Sequence, residues 1–309
     1  MVELRSRVGL GTAPLGSRPD GPLWWGPQER DASVATIRAA VDAGVDWVDT
    51  APFYGWGLAE EIVGEALSGG LGAGVVVLTK CGTVRGADGS TQEDTSPASI
   101  RRGVDESRRR LGRDRLDVVQ IHDPDPSTPI EESWAALLEL VDDGAIGGAG
   151  LSNHPLELLD RALAVGPVTV VQQQYSLFHR VPERDGTIDW CREHRIPFLA
   201  WSPLASGLLT DGFDPDRTAP GDLRRNLRWL QGAQRARSTA IVGAATRVAE
   251  RHGATLRQVA LAWVLRRPGM HAIVGARSAD EAAALADPDL ADLVLLPELD
   301  DLPGDANLP

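Results

Sequence analysis

Lysine is almost missing from this chain. Lys80 is the only one in 309 residues, and every other basic residue is arginine. A single lysine against that background suggests a task for a compact point charge that a guanidinium cannot fill. Acidic residues outnumber basic ones by 44 to 31, a net charge of −13. That balance argues against wrapping nucleic acid or lying on an anionic membrane. The two cysteines, Cys81 and Cys191, cannot make a disulfide framework. No run of about 18 apolar residues is present, so no membrane-spanning helix is expected, and MVELRSRVGL does not read as a signal peptide. Tyrosine is also scarce, with Tyr54 and Tyr175 alone. What remains is a cytoplasmic, enzyme-sized globule: 42% hydrophobic residues suffice for a core, and 24% charged residues without low-complexity tracts argue against disorder.

What is present is an alternation. Short β-branched runs recur at Val8–Thr12, Val45–Asp49, Val75–Thr79, Leu116–Ile121, Ile146–Leu151, Val168–Gln172, Ile196–Trp201 and His271–Gly275, with amphipathic stretches between them. Such alternation predicts parallel strands joined by crossover helices. Thr128-Pro129-Ile130-Glu131 reads as a capping box. Ile130, Trp134, Leu137, Leu138 and Val141 then share a face, and Gly144 stops the helix. Ser96-Pro97 opens the preceding helix, with Ile100, Val104 and Leu111 inward and Arg101, Arg102, Arg108, Arg109 and Arg110 mostly outward. Eight units predict one (β/α)8 TIM barrel over 1–309, an α/β fold. A long loop follows the seventh strand, about 202–232, and the tail 297–309 is expected to be loose. A doubly wound sheet is the competing fold. It usually carries GxGxxG after its first strand, but here Pro14 stands where the third glycine belongs.

In a barrel the strand C-termini build the active site. The second strand ends at Asp49, with Tyr54 in the loop beyond, the third at Lys80 and the fourth at His122. Each alone has an ordinary structural reading, as an ion pair or a satisfied histidine. Together they are equipment for protonating a carbonyl. Asp49 would hold Lys80, Lys80 would favour the Tyr54 phenolate, and neutral His122 would orient the oxygen. His122-Asp123 with Asp49 offers no metal-binding spacing, so no metal is expected. Cys81 reads as a small buried hydrophobe. Trp47, Trp134, Trp190 and Trp263 fall in strand and helix segments as core filler, whereas Trp24, Trp25 and Trp56 fall in loops at the mouth as candidate substrate contacts.

The strings GLGTAPLG, DTAPFYGWGLAEEIVGEAL, VVVLTKCG, SIRRGVDESRRRLGRDRLDVVQIHDPD, GAGLSNH, VVQQQYSLFHR, LAWSPLASGLLT and AIVGARSADEA carry a resemblance. Over nearly its whole length the chain resembles the aldo-keto reductase superfamily, its bacterial branch above all. The resemblance implies that Asp49, Tyr54, Lys80 and His122 are the catalytic tetrad. It also implies NADPH/NADP in the barrel mouth, with NAD as the alternative, and no Rossmann fingerprint. Ser152, Asn153 and Gln172 match residues that bind the nicotinamide carboxamide, with Thr12 and Asp49 beside them. Trp201 stands where an aromatic stacks on the nicotinamide. Ser202, Leu204, Ser206 and Gly207 match the pyrophosphate segment. Gly275, Ala276, Arg277 and Ser278 match the loop taking the adenosine 2′-phosphate, followed by Glu281. The chain departs from the family at Glu281, Ala284 and Leu285 on the adenine side and at Gln174, where Glu is common. The barrel-plugging hairpin at the N-terminus is expected to be short or absent. The implied activity is hydride transfer between NAD(P)H and an aldehyde, ketone or sugar, with Tyr54 as general acid/base. An aldose 1-dehydrogenase and a cofactor-binding regulatory subunit are the alternatives. The expected partner is a small carbonyl or sugar substrate, with no nucleic acid or membrane, in a monomer or small homo-oligomer.

Overall fold

The computed structural model describes residues 2–286, so the expected tail 297–309 lies outside the described residues. In chain order the strands are β1 (Val8–Gly11), β2 (Trp47–Asp49), β3 (Val76–Cys81), β4 (Thr83–Arg85), β5 (Thr91–Glu93), β6 (Val118–Ile121), β7 (Ala149–Ser152), β8 (Val170–Gln174), β9 (Phe198–Trp201) and β10 (Met270–Gly275). Eight of them close into a barrel in the order β1-β10-β9-β8-β7-β6-β3-β2. Every pairing in it is parallel, and at least one helix follows each strand. This is the expected (β/α)8 barrel. No described helix is long and apolar enough to cross a membrane.

Alternation along the strands sorts side chains into two cores. Val48, Val77, Val119, Ile121, Leu151, Val171, Ala200 and Val274 point outward against the helices. Trp47, Leu78, Val118, Val170, Leu199 and Ile273, one from each of six strands, fill the interior. The other two strands present glycine there. A Cβ on Gly9 would stand 2.3 Å from the Trp47 indole, and one on Gly150 would stand 2.6 Å from Val170. Trp47 therefore occupies the space that Gly9 vacates, and its Nε1 donates to the Ser6 carbonyl at 2.9 Å. Val2 and Leu4 pack on this layer from below. Residues 2–7 contain no strand, so no hairpin closes the barrel base there. Gly9→Ala should cost roughly 1–3 kcal/mol of stability, because overpacking a filled core forces off-rotamer side chains or backbone shifts. A thermal unfolding midpoint equal to the parent's would show that Trp47 is not seated as described.

Several local expectations are corrected. The apolar residues Val45, Val75, Leu116, Ile146, Val168 and Ile196 precede their strands. They are buried like strand residues but lie in the approach from the preceding helix, and Leu116 and Ile146 make only an isolated bridge. Thr128 does not cap its helix. That helix runs Ile130–Asp142 with Pro129 at its cap position and no side-chain cap bond. The Thr128 hydroxyl instead donates to Asp125, whose carboxylate also takes the Ser127 and Thr95 amides. Ser96 does cap the helix Pro97–Leu111, accepting from the Ser99 amide. One of that helix's arginines turns inward: Arg110 Nε sits 2.6 Å from Glu60, which is fully buried. The antiparallel β4–β5 hairpin beyond β3 was not anticipated. Trp47, Trp134, Trp190 and Trp263 are all buried, as expected.

Candidate active site

Parity along the strands brings the polar residues together. Counting in twos from the interior layer, Trp47 leads to Asp49, Leu78 to Lys80, Val118 to Gln120 and His122, and Val170 to Gln172. Asp49, Lys80, Gln120 and Gln172 therefore lie one step above the apolar plug, and His122 one step higher. Lys80 Nζ donates to Asp49 Oδ1 at 2.7 Å, to the Thr50 carbonyl at 2.9 Å and to the Tyr54 hydroxyl at 3.5 Å. The Lys80 side chain is 1% exposed and that of Asp49 2%. The Tyr54 ring lies 6.1 Å from that of His122 at a steep angle. All four predicted residues are thus gathered in one mouth.

Tyr54 reaches this position through a tight approach of two loops. A Cβ on Gly16 would lie 2.8 Å from the Tyr54 carbonyl oxygen, and one on Gly55, at φ +65°, would lie 2.2 Å from the Gly16 carbonyl. Outside the barrel wall, Glu60 accepts from the Thr79 hydroxyl at 2.6 Å. Its helix, Leu58–Ala66, directly follows the Tyr54 loop, and Thr79 directly precedes Lys80. The stem of Arg110 passes where a Cβ on Gly57 would be, 2.7 Å away, to reach Glu60.

Sequence reasoning missed Gln120, although the string VVQIH places it on the same face as His122. Its amide and that of Gln172 both donate to Asp49 Oδ2, at 3.4 and 2.8 Å, and Gln172 also donates to Gln120 Oε1 at 3.3 Å. Asp49 is therefore held by Lys80 on one oxygen and by two neutral amides on the other. The Thr12 hydroxyl and amide both donate to the Asp49 carbonyl.

The electrostatics revise one expectation. Burial pushes the Tyr54 phenol up, and this outweighs the downward pull of Lys80, so the group is a protonated acid at neutral pH. Burial pulls the Lys80 ammonium down, but Asp49 and Tyr54 together more than compensate and hold it above its ordinary value. His122 lies well below its ordinary value, first through burial and then through repulsion from Lys80, so it is neutral. Burial raises the Cys81 thiol to about 12, consistent with an inert hydrophobe.

A second group of predicted residues borders this mouth. The Ser152 hydroxyl and His122 Nδ1 are buried and have no hydrogen-bond partner among the described residues. Asn153, at φ +60°, donates to the His122 carbonyl and to Asp123, and accepts from Trp201 Nε1 at 2.9 Å. Trp201 is thereby held in one orientation. After β9 the backbone takes positive φ at Ser202, Ala205, Ser206 and Gly207, while Leu204 is buried. Such conformations cost on the order of 1–3 kcal/mol each for non-glycine residues and gather at ligand clamps. Ala205 was not anticipated. At the end of β10 Gly275 is exposed, and beyond it Ala276 is buried and Ser278 accepts from the Glu281 amide. Two unspent buried polar groups, an oriented indole and a strained turn are a set that fits an extended polar cofactor.

The three loop tryptophans separate. Trp56 lies 5.6 Å from Phe53, whose ring lies 5.8 Å from His122, and Arg85 of β4 covers Trp56 at 5.7 Å. Trp24 and Trp25 are instead knitted to the loop after β9. Trp24 Nε1 donates to Pro220, the Leu223 amide donates to Trp24, and Arg224 lies 5.7 Å from the Trp25 ring. Among the described residues no group of His, Cys, Asp and Glu is arranged to hold a metal ion.

Comparison with known proteins agrees with this architecture. The family model for the Aldo/keto reductase family matches residues 7–287. An NADH-specific methylglyoxal reductase of Escherichia coli (strain K12) is 34% identical over 288 residues, covering 89% of this chain and 87% of that one. Among solved structures, the glycerol dehydrogenase of Gluconobacter oxydans superposes with a TM-score of 0.85 at 34% identity, covering 98% of this chain and 95% of that one. An aldo-keto reductase from Klebsiella pneumoniae in complex with NADPH superposes with a TM-score of 0.73 at 29% identity, covering 97% and 92%. With the closed parallel barrel and the family match along nearly all of its length, this chain belongs to the aldo/keto reductase family.

Proposed function

We propose that this chain is an NAD(P)H-dependent oxidoreductase that reduces an aldehyde, ketone or sugar carbonyl, with Tyr54 as general acid. The carrying observation is a half-buried, protonated phenol 3.5 Å from a buried lysine that Asp49 holds charged. A reduced nicotinamide cofactor supplies hydride to the carbonyl carbon when bound. Ser152, Asn153 and Gln172 would hold its carboxamide, Trp201 its ring, the turn 202–207 its pyrophosphate, and the segment from Gly275 its adenosine end. The chain's own part is the proton. As charge develops on the carbonyl oxygen, Tyr54 donates its hydroxyl proton there, and Lys80 stabilises the phenolate left behind. His122, being neutral, contributes a hydrogen bond to the same oxygen without competing as an acid. Phe53 and Trp56 make an aromatic wall beside His122, suited to the face of a ring or sugar. Run in reverse, the same groups oxidise an alcohol. The Gluconobacter relative is a glycerol dehydrogenase, so polyols and aldoses belong among the substrates tested.

The test follows absorbance at 340 nm with NADPH or NADH and 4-nitrobenzaldehyde, then with a panel of carbonyl compounds, aldoses and polyols. Steady turnover with at least one pair is the expected result. Tight binding of the cofactor with no turnover across the panel would instead favour a regulatory, cofactor-binding subunit.

A further inference from the structure

The loop after β10 offers little to a phosphate. The Arg277 amide donates to the Glu281 carboxylate at 2.8 Å. Two of the three Arg277 guanidinium nitrogens are committed elsewhere, Nη2 to the Pro27 carbonyl at 2.6 Å and Nε to Gln28 Oε1 at 3.3 Å, while Gln28 returns a bond to the Arg277 carbonyl. The Ser278 hydroxyl accepts from the Glu281 amide. A second carboxylate is close by, since a Cβ on Gly26 would stand 3.5 Å from Asp222 Oδ2 and 3.7 Å from Arg277 Nη2. Asp222 is itself in a salt bridge with Arg224 at 2.6 Å. The local charges therefore balance: Arg224 and Arg277 against Asp222 and Glu281. A site built for a phosphate dianion needs an excess of positive charge and free donors.

Resting on the nicotinamide-cofactor reading above, we infer that Glu281 selects the dinucleotide with a free 2′-hydroxyl, NADH, over its 2′-phosphorylated form, NADPH. A carboxylate is acceptor-only when ionised, so it suits a hydroxyl donor and repels a phosphate. Specificity of this kind comes from the repulsive element as much as from the attractive one. The segment that resemblance assigns to the 2′-phosphate thus works here in the opposite sense.

The test measures dissociation constants for NADH and NADPH by quenching of tryptophan fluorescence, in the parent chain and in Glu281→Gln and Arg277→Ala. The parent is expected to bind NADH at least about 10-fold tighter, the scale of one solvent-screened like-charge contact at an exposed carboxylate. Glu281→Gln, which keeps the shape and removes the charge, should shift the ratio about 10-fold toward NADPH. Arg277→Ala should weaken both cofactors alike, because it loosens the join to Pro27 and Gln28. A parent that prefers NADPH, an unchanged ratio in Glu281→Gln, or a selective loss of NADPH binding in Arg277→Ala would each overturn the inference. Failure of the parent to bind either dinucleotide would overturn the cofactor reading beneath it, a result distinct from all of these.

Discussion

Tyr54→Phe should lose about 10²–10⁴-fold in kcat, the range that one positioned proton donor contributes. The ring stays, so its edge contacts with Phe53 and His122 stay, and only the hydroxyl facing Lys80 goes. The dissociation constant for the cofactor should hardly move. The pH profile carries the same assignment. Desolvation holds the Tyr54 phenol above its ordinary value, so the acid form persists through neutral pH, and reduction should fail only on the far alkaline side. His122 titrates well below its ordinary value, so it should produce no acid limb across pH 6–8. A phenylalanine variant retaining more than about a tenth of the parent's kcat would remove Tyr54 from the role, given that contribution.

Lys80→Arg is the second large effect. Charge is conserved, yet at least about 10²-fold in turnover should go, comparable to one lost general-acid contribution. The ammonium is enclosed and spends its three donors on Asp49, Thr50 and Tyr54. A planar guanidinium is wider and cannot direct donors to those three oxygens from one point. The chain also permits an orthogonal check, because Lys80 is its only internal primary amine. An amine-selective acylating reagent should label Lys80 slowly, abolish activity in step with labelling, and be held off by bound cofactor. Complete labelling with activity intact would contradict the proposed role of Lys80.

Much of this arrangement was legible because strand parity is a rigid rule. Once eight strands are placed, Asp49, Lys80 and His122 must share the interior with the residues two positions before them. Parity also makes Gln120 readable in hindsight. It went unnoticed because a strand glutamine carries no chemical signal until its partner, Asp49, is known. Strand starts were misplaced for a physical reason. Val45, Leu116 and Ile146 are as buried and as apolar as ladder residues, and hydrophobicity does not report which amide bonds to which carbonyl. Thr128 failed as a cap because Asp125, three residues earlier, is the stronger acceptor for its hydroxyl. The downward shift expected for Tyr54 failed because pairing with lysine is visible in a sequence, whereas the depth of burial is not. Trp24 and Trp25 were grouped with Trp56 by their loop setting, but their contacts are with residues about 200 positions away, in the loop after β9.

The ion pair between Glu60 and Arg110 lies outside the barrel wall, yet it bears on what happens within. Glu60 belongs to the helix that continues from the Tyr54 loop, and it grips Thr79, the neighbour of Lys80. The spacing between proton donor and ammonium is therefore set partly by a bracket on the opposite face of the sheet, closed by a half-buried arginine from the next helix. A substitution at position 110 is therefore expected to be felt in the spacing of Tyr54 and Lys80, which Arg110 reaches only through Glu60 and Thr79.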